Sequence, residues 1–474
     1  MATRSLIRVA NCSATQPEIM MKLKSYLPFL IAVLIAIPGI AMRLAGVHLS
    51  PPLTALFSGM AILGASFLLL WACDAAQADI PQALALAVVA LIAVLPEYAV
   101  DMYFTWQAGK NPGSDYAGYA IANMTGANRL LIGVAWGAIA VIFWLRQRRE
   151  VRIGKDRRTE LFFLGLATVY AMVIPLKGSL AWYDGIVFLG LYVWYIVLAS
   201  RRPCVEAEAE GPAEVLIRLP KAHRQLATLT LFLFSAGAIL ANAEPFCEGL
   251  IGTGKQFRIS EFLLVQWLAP IASEAPEFIV ALVFAWRGQA GLALGSLLSA
   301  KLNQWTLLVG MIPGVFAISH QSLEHPLPMG SFQMNEIFLT AAQSLLAVVM
   351  LATLRLSVSG ALLLFSLFVG QLVLPGVVDT HPYLALGLPA SKIHLLFSVL
   401  YMVAAAAIFL QRPRPVLELW QGSHIDAPLP APAARAPATM SADPDIHGPQ
   451  CLTCRWRLWG IQAEQSELPE TKTR

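Results

Sequence analysis

Twelve stretches of 18 to 30 mostly apolar residues run through this sequence. Each has the length that crosses about 30 Å of hydrocarbon as a helix. They fall near 25–47, 52–75, 82–107, 117–145, 159–178, 182–199, 226–250, 259–286, 289–318, 335–354, 357–378 and 391–411. Inside a bilayer no water bonds the backbone, so runs of this kind fold as helices rather than open strands. The charge content agrees: 13% of the 474 residues are charged, against about 25% in a soluble domain. The chain is therefore expected to be an all-α polytopic membrane protein whose main partner is the lipid bilayer. Its net charge of +4 comes without a basic stripe interleaved with aromatics, so no nucleic acid is expected to bind.

Lys and Arg give the orientation. The tail 1–24 and the loops 146–158 and 201–224 carry 4, 7 and 5 of them. The intervening loops carry four in all: Lys110, Lys177, Lys255 and Arg258. The positive-inside rule then places both termini in the cytoplasm, with the spans in the cell inner membrane. Lys22 and Lys24 precede the first run as in a signal peptide, but no clean small-residue cleavage site follows, so a retained helix is expected. Met1, Met20 and Met21 are each possible starts. Beyond Arg412 the chain is rich in proline (Pro428, Pro430, Pro432) and then polar, so 412–474 is expected to be disordered. Cys451 and Cys454 form half of a zinc-ribbon spacing with no second pair, and both metal binding and an ordinary tail stay open.

The chain contains an internal repeat. Ala93-Val-Leu-Pro-Glu97-Tyr-Ala-Val-Asp101 has a counterpart in Ser273-Glu-Ala-Pro-Glu277-Phe-Ile-Val-Ala281. Each is followed by a short hydrophilic break and a second span, Ala122 to Gly137 in the first copy and Gly295 to Gly310 in the second. The second Pro-Glu span is the fifth after the first, an odd number, so the copies cross the membrane in opposite senses. Paired, interrupted and oppositely oriented segments are how an inverted-repeat transporter shows itself in sequence. Pro96 and Pro276 each remove an amide donor within a span, so the helix is expected to open there. Freed carbonyls beside a carboxylate are hard oxygen ligands suited to Na⁺ or Ca²⁺.

These elements resemble the α-repeats of sodium/calcium exchangers and the wider calcium:cation antiporter superfamily, which read roughly G-T-S-L-P-E and then G-N-x-x-G-S-N-x-x-(N or D). The resemblance covers about 52–378. It implies two inverted five-helix halves, 52–199 and 226–378, joined by a cytoplasmic loop at 200–225, with one extra helix at each end (25–47 and 391–411). It also implies a single central cation site served by alternating access, exchanging Ca²⁺ or a monovalent cation for Na⁺ or H⁺, with no cofactor. Glu97 and Glu277 would be its main ligands.

The copies are degenerate. G-T-S becomes Ile92-Ala93-Val94 in one and Ala272-Ser273-Glu274 in the other. Ser-Asn becomes Ala127-Asn128 and Ala300-Lys301, and the last polar position becomes Leu131 and Gln304. The oxygen donors left are Asn123, Asn128, Ser273, Ser296 and Gln304. Asp101, one turn after Glu97, and Glu274, three residues before Glu277, add acids on the same helix faces. Arg129 and Lys301 add two bases that modulate the site's charge if they face it, or snorkel to an interface if they do not. Bound bases in that volume argue for fewer ions and make proton coupling plausible. A sodium/proton exchanger and a transport-dead or sensor-like member of the same scaffold remain alternatives. An enzyme is not expected, because the chain holds no H-E-x-x-H, no G-x-S-x-G, no Asp-rich metal motif and no Walker loop. His223, His320, His325 and His394 look isolated, as loop or interface residues.

Overall fold

A computed structural model describes residues 16–80, 90–201, 211–380 and 390–421. Helices α1 (Gln16–Leu44) and α2 (Pro51–Ala76) lead in. The first Pro-Glu segment follows as α3 (Ala90–Ala93) and α4 (Leu95–Lys110). Next, α5 (Tyr116–Leu130), a π-helical turn (Leu131–Trp136) and α6 (Gly137–Gln147) make one rod. Helices α7 (Arg158–Ala171), α8 (Val173–Lys177), α9 (Trp182–Ala199) and the short α10 (Ala213–Ile217) complete the first half. The second half runs through α11 (Lys221–Phe257) and α12 (Glu261–Trp286) to α13 (Ala290–Asn303), a π-helical turn (Gln304–Leu308) and α14 (Val309–His320). Helices α15 (Ser331–Leu351), α16 (Val358–Thr380), α17 (Ala390–Gln411) and α18 (Pro413–Trp420) end it.

Eleven helices among the described residues are long and apolar enough to cross a membrane. The twelfth expected span, 82–107, is described only from Ala90 onward, and 81–89 lie outside the described residues. The protein is thus an all-helical, multi-pass membrane protein. Four of the eleven spans lie between α4 and α12, so those two helices run in opposite directions. Their packing is exchanged in the same way: α4 lies on α5 and α14, and α12 on α13 and α6. Two small backbone pairings tie loops at opposite ends of the bundle. A two-residue ladder pairs Val151 with Leu356 and Arg152 with Arg355, and an isolated bridge joins Leu180 to Leu327.

The two prolines act differently. At Pro96 the helix does break, with Val94 at φ −92°, ψ 11° between α3 and α4. At Pro276 it does not: α12 runs continuously through Pro270 and Pro276. Membrane helices tolerate proline when neighbours take up the freed groups, and α12 is gripped by α2, α4, α5, α6, α11 and α13. The expected opening of the second copy reduces to the loss of single hydrogen bonds at the carbonyls one turn earlier. A feature the sequence does not announce is the pair of π turns, which start at Leu131 and Gln304, the two residues that replace the family's last polar position. Such wide turns insert one extra residue and recur at functional places.

The expected disordered tail also begins later than 412. Pro413–Trp420 forms α18 because Val416 and Leu419 give it a buried apolar edge, with Trp420 against Phe162 at 6.0 Å. Residues 422–474, with Cys451 and Cys454, lie outside the described residues.

The crossing of α5 and α12 depends on Gly126. A β-carbon there would stand 1.9 Å from the carbonyl oxygen of Gln266, the carbonyl whose helix donor Pro270 removes. Overpacking a closely packed interior costs about 1–3 kcal/mol. Gly126→Val is expected to lower the thermal melting temperature of the detergent-solubilised protein by several degrees. An unchanged melting curve would show that the two helices can separate freely.

Candidate cation site

The first turn of α4, the middle of α12 and the second π turn meet at the core of the bundle. Glu97 opens α4 just beyond the break and is 3% exposed. Glu274 and Glu277 sit mid-helix on α12, Glu274 fully buried and Glu277 half-buried. The three carboxyls lie within electrostatic range of one another. Gln304, first residue of the π turn, donates from Nε2 to Glu97 Oε1 at 2.6 Å, so a residue of each copy meets across the centre.

Several acceptor oxygens at this meeting point lack any donor. Glu97 Oε2, both oxygens of Glu274, Glu277 Oε2 and Gln304 Oε1 are buried without a hydrogen-bond partner. Burying such atoms unpaired costs about 1–3 kcal/mol apiece, and they are all of the kind that a hard cation satisfies. They are not drawn into a tight shell: among the described residues no three His, Cys, Asp or Glu side chains are grouped closely enough to hold a metal.

Asp101 and Asn123 form a second buried layer one turn further along. Asn123 Nδ2 donates to Asp101 Oδ1 at 2.7 Å, while Asp101 Oδ2 and Asn123 Oδ1 stay unpaired. The other copy has Ala281 and Ser296 at the equivalent positions, and no such pair forms there. Ser296 is exposed on the wall of a cavity. Ser273 is buried, but its hydroxyl donates back to the carbonyls of Ala269 and Pro270 at 3.3 Å.

The two bases separate. Lys301 points inward. Its Nζ donates to Asn128 Oδ1 at 2.6 Å and to the Asn128 carbonyl at 3.3 Å, lies 4.6 Å from the Trp305 ring, and is within electrostatic range of Glu274. Asn128 and Lys301 are the equivalent residues of the two copies, so this contact crosses the pseudo-symmetry centre. Arg129 turns away to another acid. It pairs with fully buried Glu336 of α15 and lies 5.2 Å from the Trp267 ring. Gln266 Nε2 donates to Glu336 Oε2 at 2.5 Å, and His394 Nδ1 lies 2.5 Å from Glu336 Oε1. Arg129 thus neither snorkels nor faces the carboxylate cluster, and His394 is not isolated. Glu336 falls at the edge of the expected span 335–354, where an acid passes for an interface residue. Its depth becomes evident only when α15 is packed against α5 and α17.

Buried acids drawn from two antiparallel copies of one helix pair are the pattern of a secondary transporter of cations. The description "Sodium/calcium exchanger protein" covers residues 50–201 and 227–376. The chain belongs to the sodium/calcium exchanger protein family, a family of membrane cation antiporters and not of enzymes. It superposes on the crystal structure of an H⁺/Ca²⁺ exchanger, CAX, with a TM-score of 0.78 and 40% identity, covering 84% of this chain and 98% of that one. An uncharacterized membrane protein of Methanocaldococcus jannaschii is 23% identical over 219 residues, spanning 45% of this chain and 64% of the relative's length.

The Arg129 pairing carries a testable consequence. Removing one partner of a buried ion pair costs about 3–5 kcal/mol because the other charge is stranded. Arg129→Leu is expected to lower the melting temperature markedly, and adding Glu336→Gln to recover part of the loss. A double variant no more stable than Arg129→Leu would show that the pair is not coupled.

Proposed function

We propose that the protein exchanges Ca²⁺ for H⁺ by alternating access at the site of Glu97, Glu274, Glu277 and Gln304. The observation that carries this reading is the set of unpaired oxygens on three buried carboxyls beside a single ammonium, Lys301. Three ionised carboxylates against one Lys leave two negative charges in excess. Ions buried in hydrocarbon need compensation, and one divalent cation supplies it. Two protons on the carboxyls supply it equally, so the two occupants replace each other. Lys301 fills the volume that an Asn ligand leaves open in the family pattern, which supports one divalent ion over several sodium ions. The 40% identity to an H⁺/Ca²⁺ exchanger over nearly that whole chain supports the same substrate pair. Asp101 and Asn123 form the adjoining layer through which an ion passes when the site faces the other way.

Proteoliposomes loaded for Ca²⁺ uptake against separate H⁺, Na⁺ and K⁺ gradients test this directly. Uptake is expected to follow the proton gradient and, because H⁺ leaves as Ca²⁺ enters, to alkalinise the lumen in step. Uptake driven by Na⁺ alone would replace H⁺ in the scheme, and no uptake under any gradient would refute it. Glu97→Gln and Glu277→Gln should each reduce exchange to background while the protein still inserts, because a neutral amide cannot supply the ionised ligand.

Lys301→Asn restores the family residue and removes the internal competitor for the carboxylates. Opposite charges attract far more strongly in a low-dielectric interior than in water. The variant is therefore expected to bind Ca²⁺ more tightly and to shift the pH profile of exchange. Identical affinity and pH dependence would assign Lys301 a purely structural part. The Lys/Arg bias supports both termini in the cytoplasm of the inner membrane. Cysteines introduced in 146–158 and 201–224 should accordingly resist impermeant reagents added outside, and strong labelling there would reverse the orientation.

A further inference from the structure

One acid of the bundle takes no part in the site above. Asp74, near the end of α2, is half-buried and makes no hydrogen bond or ion pair with any described residue. It lines a cavity of about 380 Å³ bounded by α2, α12, α13 and the Gly211-Pro212 segment ahead of α10. On α2 the wall is formed by Phe67, Leu70, Asp74 and Gln77, spaced so that they share one helix face. On α12 it is formed by Val280, Phe284 and Arg287, which lie three, seven and ten residues after Glu277 and so continue the Glu277 face. Ser296 stands on the third side. The thiol of Cys73, the residue before Asp74, is within electrostatic range of both Asp74 and Glu277. The cavity therefore opens beside Asp74 and ends on α12 at Ile279 and Val280, less than one turn from Glu277.

The opposite end of the bundle offers a contrast. There the acid of α11, Glu248, accepts the hydroxyls of Tyr103 at 2.7 Å and Tyr116 at 2.6 Å. One acid is capped by two tyrosines on α4 and α5; the other stands on the wall of a cavity that it shares with Arg287.

We infer that Asp74 is an access site, at which a hydrated divalent cation exchanges part of its water shell before moving on to Glu277. This rests on the cation-exchange reading. A carboxylate between apolar walls focuses the field on an approaching ion. The Gln77 amide and the Ser296 hydroxyl supply further hard oxygens for an ion that is losing waters. With the Arg287 guanidinium lining the same cavity as the one carboxylate, the site carries no net negative charge and holds the ion weakly enough to release it inward.

Two measurements on the full-length protein decide it. Terbium is a luminescent stand-in for calcium, and Trp71, on the cavity wall one turn before Asp74, is its antenna. Titration of the detergent-solubilised protein is expected to show a weak component that Asp74→Asn removes, Trp71→Phe dims and Glu277→Gln leaves in place. A titration unchanged by Asp74→Asn would overturn the proposal, whether or not the protein transports calcium. The second measurement is the KM for Ca²⁺ applied to each face in turn. Asp74→Asn is expected to raise KM roughly three- to tenfold at the face of residues 77–80 only, with the effect fading at high salt and Asp74→Glu restoring most of it. Equal changes at both faces, or none at either, would overturn it. Absence of flux in the unaltered protein would instead refute the exchange reading, while the terbium titration would still decide Asp74.

Discussion

The contact between Lys301 and Asn128 fixes the centre of this molecule. It joins the same position of the two repeats, so it lies where the two halves cross. It also places the Lys301 amine next to Glu274 in surroundings where an uncompensated charge is expensive. Around it, Glu97 and Gln304 close a second bridge between the copies.

The other buried cation is kept out of this accounting. Arg129, Glu336, Gln266 and His394 link α5, α15, α12 and α17 in a separate network. Its positive charge is compensated locally, so it does not compete for the carboxylates. Gln266 belongs to the same helix as Glu274 and Glu277, and Arg129 adjoins Asn128 in the chain. The network therefore holds in place the two helices that present the site, without contributing a ligand to it.

Much of this was legible in the sequence because membrane spans and proline-glutamate pairs are strong local signals. The duplicated Pro-Glu element located Glu97 and Glu277, and the parity of the spans between them gave their opposed directions. Partner choice was not legible. Nothing in the one-dimensional pattern says that Arg129 pairs with an acid more than two hundred residues away while Lys301 does not. Asp74 carried no motif at all and stands out only through the cavity beside it. The difference between Pro96 and Pro276 is likewise tertiary: the same residue breaks α4 and leaves α12 whole, depending on what grips the helix. The π turns escaped because Leu131–Trp136 and Gln304–Leu308 read as ordinary apolar helix, and their register depends on packing rather than composition.

The unequal breaks have a consequence for energetics. If the halves were identical, exchanging their conformations would map the molecule onto itself, and the two orientations of the pocket would be equally populated. Here one half carries a broken helix with a buried Asp-Asn layer, and the other an unbroken helix with alanine and serine in its place. The exchange of conformations is no longer a symmetry, so the two orientations differ in free energy. An ion meeting the rarer orientation finds its apparent affinity reduced by that population. The protein's inequality of sequence thus becomes an inequality between the two sides of the membrane.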